Sequence, residues 1–164
     1  MIREVPLPAA VSGRLFLAAM PGRYNPFEGD CRAIADSRVD TVVCLAPPEE
    51  VREKSPEYAR AMEAGKLRWE TRVLGIPDFG VPDDREGYLA AAQATAADLN
   101  AGKRIVIHCG AGIGRTGTFA VCVLMALGLA QDAALGAVDG AGGHPETPEQ
   151  RELAAWAAGR LYRG

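Results

Sequence analysis

One stretch limits what this chain can fold into: residues 105–118, Ile-Val-Ile-His-Cys-Gly-Ala-Gly-Ile-Gly-Arg-Thr-Gly-Thr. It opens as a run of branched apolar residues, the composition of a buried strand, and passes through a histidine and a cysteine into a loop carrying three glycines. An arginine and two threonines lead on into residues 119–127, Phe-Ala-Val-Cys-Val-Leu-Met-Ala-Leu, an apolar run long enough for a buried helix. The stretch reads as strand, tight loop, helix.

Gly110, Gly112 and Gly114 carry no Cβ and can take positive φ, so successive N–H groups can turn inward around one point. With a helix starting behind them, those amides and the positive end of the helix dipole converge on that point, and an anion belongs there. Arg115 stands where the dipole disfavours a cation, so the ligand carries more negative charge than amides alone balance. A tetrahedral phosphate gripped by the guanidinium fork fits that description. Cys109 stands at the mouth of the cradle. A free thiol titrates at about 8.5, and helix N-termini and neighbouring cations lower that value, so the loop that holds a phosphate is expected to hold a thiolate ready to attack it.

Cys109, five intervening residues, then Arg115 and Thr116, with His108 in front, resemble the signature of the cysteine-dependent protein tyrosine phosphatases, including their dual-specificity branch. Residues 112–117 also satisfy the Gly-x-Gly-x-x-Gly pattern of dinucleotide-binding domains, with Asp132 about twenty residues beyond the first glycine. That fingerprint needs a second strand after the helix, and here the apolar helix runs into an alanine-rich stretch instead.

The remaining pattern alternates strands and helices. Residues 14–20 read as a strand ended by Pro21-Gly22, and 23–27 as a polar and aromatic loop. A helix is expected over 28–37, a buried strand over 40–45 closed by Pro47-Pro48, and two short helices over 49–65 broken at Pro56. A strand over 67–76, a helix over 84–100, a helix over 131–140 and a last helix bearing Leu153, Trp156 and Leu161 complete the reading. It predicts one α/β domain spanning residues 1–164, with a central, largely parallel sheet of four to five strands flanked by helices, as in the phosphatases the chain resembles.

Asp83 and Glu86 read as a capping box for the helix that follows, and Thr147 with Gln150 as another. Asp78, in the irregular loop Gly75-Ile76-Pro77-Asp78-Phe79-Gly80-Val81-Pro82, has no helix to cap. The loop resembles the Trp-Pro-Asp loop of the same phosphatases, with Ile76 in place of the tryptophan, which implies that Asp78 is the general acid. The segment at 146–150 resembles their glutamine-bearing loop, where Gln150 would help place water, though Glu146 occupies the first glutamine position.

The resemblance implies phosphomonoester hydrolysis through a cysteinyl-phosphate, on phosphotyrosine in proteins or peptides, with phosphoserine and phosphothreonine left open. Cys109 is the expected nucleophile, and Arg115 with Gly110, Ala111, Gly112, Ile113 and Gly114 the expected phosphate cradle. Thr116 is expected to set its hydroxyl near the sulfur, and His108 to orient the loop. Lipid phosphatases of the superfamily commonly carry lysines inside this loop, and this one has none. The alternative function is a phosphate-binding module without turnover.

No metal or cofactor is expected, since arginine and amides supply the positive field. A net charge of -3 and a pI near 5.4 give no general attraction to nucleic acid or an anionic membrane. The N-terminus lacks the pattern of a signal peptide, so a cytoplasmic protein is expected. Of the cysteines, Cys44 and Cys122 lie in apolar patterns and are expected to pack as small hydrophobes. Cys31 is read as structural, with a redox partnership with Cys109 as the alternative.

Overall fold

The computed structural model describes residues 2–162. Strands β1 (Arg3–Val5), β2 (Arg14–Ala18), β3 (Thr41–Cys44), β4 (Glu70–Val73) and β5 (Arg104–His108) form one sheet in the order β1-β2-β5-β3-β4. All pairs are parallel except β1 with β2. Helices α1 (Phe27–Asp36), α2 (Pro48–Lys54), α3 (Pro56–Glu63), α4 (Arg85–Asn100), α5 (Gly114–Ala126), α6 (Gln131–Gly140) and α7 (Pro148–Leu161) flank it. The fold class is the one the sequence predicts, an α/β sheet that is mostly parallel and covered by helices.

Central β5 shows why a continuous apolar run reads as a strand covered on both faces. Ile105 and Ile107 enter the larger core with Leu15, Leu17 and residues of α4 to α7, while Val106 joins Phe16, Ala18, Ile34, Val42 and Trp69 on the opposite side. The period-2 alternation of the strand therefore feeds two cores rather than one core and solvent. Helix α5 is buried along nearly its whole length, with Phe119, Val121 and Leu124 fully covered. Each such side chain contributes roughly 1.5–3 kcal/mol by leaving water. The loop between β5 and α5 is thus anchored by two elements that are buried along nearly their whole length.

Several boundaries move. The 67–76 strand shortens to β4, an edge strand with both faces partly open, because Trp69 turns into the smaller core before pairing starts. The apolar helix begins at Gly114, five residues before the apolar run, so Arg115 and Thr116 lie in its first turn. Strand β1 carries only three residues and has no pattern to find; it pairs antiparallel through Arg3↔Leu17. The cap of α4 is Asp84, whose side chain accepts from Gly87 N at 2.9 Å, and not Asp83. The expected capping box shifts by one residue because Gly87, without a Cβ, lets the Asp84 carboxylate close over its amide.

Thr147 caps α7 as expected, accepting from Gln150 N at 3.1 Å. The Gln150 side chain reaches one residue past the cap, accepting from Glu146 N at 2.8 Å. After α5 the chain enters α6 rather than a strand, and Asp132 lies in the first turn of α6, so the dinucleotide pattern has no sheet to complete.

All four cysteines are free. Burial pushes Cys44 and Cys122 up to about 12, as expected of core thiols. Cys31 packs on the smaller core beside Phe16 and Ile34, whereas Cys109 belongs to the larger one. Among the described residues no helix is long and apolar enough to cross a membrane, and no group of three or more potential metal ligands occurs.

Candidate active site

The loop after β5 is a ring of peptide units whose carbonyls are tied outward. Gly110 O accepts from Met20 N at 3.1 Å, Gly112 O from Arg3 Nη2 at 2.7 Å, and Ile113 O from Gly117 N at 2.8 Å and His144 N at 3.1 Å. Every peptide in the described chain is trans, so an outward carbonyl turns the N–H of the next residue the other way. Ala111, Ile113 and Gly114 therefore present their amides to the hollow. Gly112 takes φ of +79°, and a Cβ there would strike Ala18 O at the end of β2. Gly117 likewise leaves room for the 143–144 backbone that ties Ile113.

Cys109 lies in the hollow at 3 % exposure, and its sulfur accepts from Gly112 N at 3.3 Å. Arg115 is almost wholly buried, and its guanidinium is held as a fork. Nη1 donates to Glu50 Oε1 and to Ile76 O, both at 2.8 Å, and Nη2 donates to Glu50 Oε2 at 2.8 Å and Asp78 Oδ1 at 3.0 Å. Burial works against both charges of the Arg115–Glu50 pair. Their mutual hydrogen bonds outweigh it, holding Glu50 below the usual carboxylate range and Arg115 above its ordinary value. Lys54, one turn on from Glu50 in α2, adds a bond to Glu50 at 3.0 Å and one to Asp78 at 3.3 Å.

His108 is fully buried behind the loop. Its Nδ1 lies 2.9 Å from Cys109 O and its Nε2 lies 2.7 Å from Tyr58 Oη. A carbonyl can only accept, so the proton sits on Nδ1 and Tyr58 donates to Nε2. Desolvation, with Arg115 adding to it, lowers His108 to about 4 against the opposing bond to Cys109 O. At neutral pH the ring is an uncharged brace between α3 and the loop. Thr116 is fully buried, and its hydroxyl has no hydrogen-bond partner among the described residues.

Asp78 is half exposed. It also accepts from Phe79 N at 3.1 Å, and Phe79 adopts φ of +59°, a left-handed conformation that costs an aromatic residue energy. Ile76, where the resemblance places tryptophan, is buried and donates its N–H to Leu45 O. Gln150 does not reach the hollow: its amide spans Glu146 N and Gly80 O, joining the 146 segment to the Asp78 loop. Glu146 instead faces the cradle, its carboxylate lying over Gly114.

The resulting cavity, about 190 Å³, is lined by Cys109, Ala111, Gly114, Arg115, Asp78 and Glu146, with Arg23 and Phe79 at its edge. A larger groove of about 520 Å³ runs past Cys31 and Trp69, but it contains neither the anion cradle nor Asp78. Sequence reasoning names Cys109, Arg115 and Asp78, which the structure brings together, and misses Glu50, Lys54, Tyr58 and Arg3. Glu50 has one faint signal, a glutamate just past a buried strand that neighbours β5. The other three have none.

A cysteine beneath inward amides, with a buried arginine beside it, on a mostly parallel sheet, defines a compact cysteine phosphatase of the dual-specificity kind. The chain belongs to the PTP-SAK family, described as a Swiss Army Knife protein with a DSP-PTPase phosphatase domain, whose profile matches residues 15–162. It resembles the human receptor-type tyrosine-protein phosphatase epsilon at 34% identity over 104 residues, which is 60% of this chain and 15% of that protein. The chain thus spans a small fraction of that relative's length.

Among solved structures, kinase associated phosphatase with its catalytic-site cysteine changed to serine superposes with a TM-score of 0.84 at 18% identity, covering 100% of this chain and 97% of that one. The active form of Tk-PTP gives 0.72 at 29% identity, covering 93% and 98%. PTPMT1 in complex with PI(5)P gives 0.72 at 21% identity, covering 91% and 92%.

Proposed function

We propose that the protein hydrolyses phosphomonoesters of phosphorylated proteins or peptides, phosphotyrosine first among them, through a cysteinyl-phosphate. The observation that carries this reading is the Cys109 sulfur accepting an amide at 3.3 Å inside a ring of outward-tied carbonyls. A binding module has no use for a nucleophile at the floor of its anion site.

Both Nη1 hydrogens of Arg115 are committed to Glu50 and Ile76 O, while Nη2 is shared between Glu50 and Asp78. An incoming phosphate takes Nε and competes with Asp78 for Nη2. The Cys109 thiolate then attacks phosphorus in line, and the P–O bond to the leaving group breaks as S–P forms. Asp78, released and protonated, gives its proton to the departing oxygen. Water attacks the cysteinyl-phosphate next, losing a proton to the Asp78 carboxylate and expelling the thiolate. Charge spreading over the equatorial oxygens meets Arg115 and the inward amides of Ala111, Ile113 and Gly114, which is the work that dominates phosphoryl transfer. Thr116, with its hydroxyl unengaged, is free to turn to the sulfur when the thiolate departs.

Phosphotyrosine is supported by Phe79, exposed at the cavity edge where it can lie along a phenyl ring, and by the likeness to a tyrosine phosphatase. The test is steady-state kinetics on matched phosphotyrosine, phosphoserine and phosphothreonine peptides, with a phosphoinositide as a further arm. Highest kcat/KM on phosphotyrosine is expected; a preference for the phosphoinositide overturns the substrate class, and tungstate binding without turnover of any arm overturns hydrolysis.

A further inference from the structure

We propose that Arg3, from the edge strand β1, is a positioning residue that locks the catalytic loop in its anion-binding form by holding the peptide unit between Gly112 and Ile113. This rests on the reading of residues 109–115 as an oxyanion cradle and adds to it a residue 109 positions from Gly112.

Three observations converge on it. Arg3 Nη2 donates to Gly112 O at 2.7 Å, so the Ile113 N–H faces the hollow. The other loop carbonyls with a partner are held by backbone amides of Met20, Gly117 and His144, by the adjacent His108 ring, or by Thr118 Oγ1 one turn on, so among the described residues this is the one peptide unit of the loop tied by a side chain distant in sequence. Second, the guanidinium is used for little else. It has no carboxylate within 4.0 Å among the described residues, its Nε is buried without a partner, and Gly142, at φ of +85°, lacks the Cβ that would collide with Nη1. Third, burial lowers the Arg3 pKa and the Cys109 sulfur offsets part of that, so the cation sits where an anion in the loop favours its charge.

The consequence follows from peptide geometry. A unit flanked by glycine at φ of +79° can rotate about its neighbouring bonds, and turned over it would point the Gly112 carbonyl at both thiolate and phosphate. Arg3 opposes that rotation by a charge-assisted bond to the outward carbonyl. Without it, the competent fraction f falls and apparent affinity falls as 1/f, while a saturating ligand still selects the competent form. KM then rises and kcat stays, provided binding equilibrates faster than chemistry.

The experiment compares wild type, Arg3→Met and Arg3→Lys in hydrolysis of para-nitrophenyl phosphate and in tungstate binding by calorimetry. In Arg3→Met, KM and the tungstate Kd are expected to rise together by about tenfold with kcat retained, the loss of one bond from a charged donor. Arg3→Lys, keeping the charge and one donor, is expected to recover part of both. Unchanged constants, or a lower kcat at unchanged KM as loss of folded protein would give, overturn the proposal. If Arg3→Met does not fold, Arg3→Lys decides, since wild-type values in both assays would refute the lock. A wild type that binds tungstate without turnover refutes hydrolysis alone and leaves Arg3 judged on Kd; a wild type that binds no tungstate refutes the cradle and Arg3 with it.

Discussion

Two walls face each other across the cavity, and they are built differently. The loop of residues 109–115 hangs between β5 and α5, is buried apart from Ala111 and Ile113, and is tied by backbone bonds to Met20, just beyond β2, and to His144. The loop of residues 76–80 is held at one end by the buried Ile76, but its Asp78 is half exposed and fixed by ion pairs to Arg115 and Lys54. One wall keeps its shape through bonds no ligand can replace. The other is held by charges for which a phosphate competes. A site that needs fixed amides for the transferring group and a releasable carboxyl for the leaving group divides naturally in this way.

The strongest way to break the comparison is at the fixed wall. Cys109→Ser should lower kcat on an aryl phosphate by about 10⁴-fold or more while tungstate binding persists; a minor loss of kcat would remove the nucleophile from this wall. Asp78→Asn should cost about 10²- to 10³-fold, most with poor leaving groups, and yet tighten tungstate binding several-fold because a competitor for Arg115 Nη2 is weakened. A variant that loses both turnover and oxyanion affinity would mean that Asp78 belongs to the rigid wall after all.

What the sequence made legible follows the same division. The segment from Cys109 to Thr116 is local: proposed nucleophile, amides and arginine sit within eight residues, so their spacing carries the proposed chemistry. Asp78 stands out because no helix follows for it to cap, and its role as the acid comes from the resemblance of its loop to the Trp-Pro-Asp loop. Glu50 touches Arg115 across 65 positions, and nothing nearby distinguishes it from Glu49 until α2 shows which one faces the loop. Arg3 lies in a three-residue strand too short to have a period. Asp83 and Asp84 differ by one position in a cap, a distinction made only by where the backbone enters α4.

The brace behind the fixed wall gives a pH test. His108 titrates near 6.5 when unfolded and at about 4 when folded, so between those values the unfolded chain binds more protons. Stability is then fully present above pH 6.5 and falls as pH drops toward 4, by about 3 kcal/mol in total. Denaturant melts across that range should show the slope, and His108→Gln should flatten it; an unchanged slope would mean that another group titrates.

Smaller effects separate the two cations that share Glu50. Glu50→Ala leaves Arg115 buried without its partner and should destabilise by about 3 kcal/mol and weaken tungstate binding. Lys54→Met removes a partly exposed pair and should cost about 1 kcal/mol or less. Equal costs would contradict the buried fork as the anchor of Arg115.

The most direct measurement is acid quench of Asp78→Ala during turnover of an aryl phosphate, followed by intact and peptide mass spectrometry. A phosphoryl group on the peptide containing Cys109, formed at the rate of the aryl-alcohol burst and missing in Cys109→Ser, is the predicted result. Turnover that continues in Cys109→Ser, or that proceeds with the phosphoryl group never found on Cys109, would contradict the account.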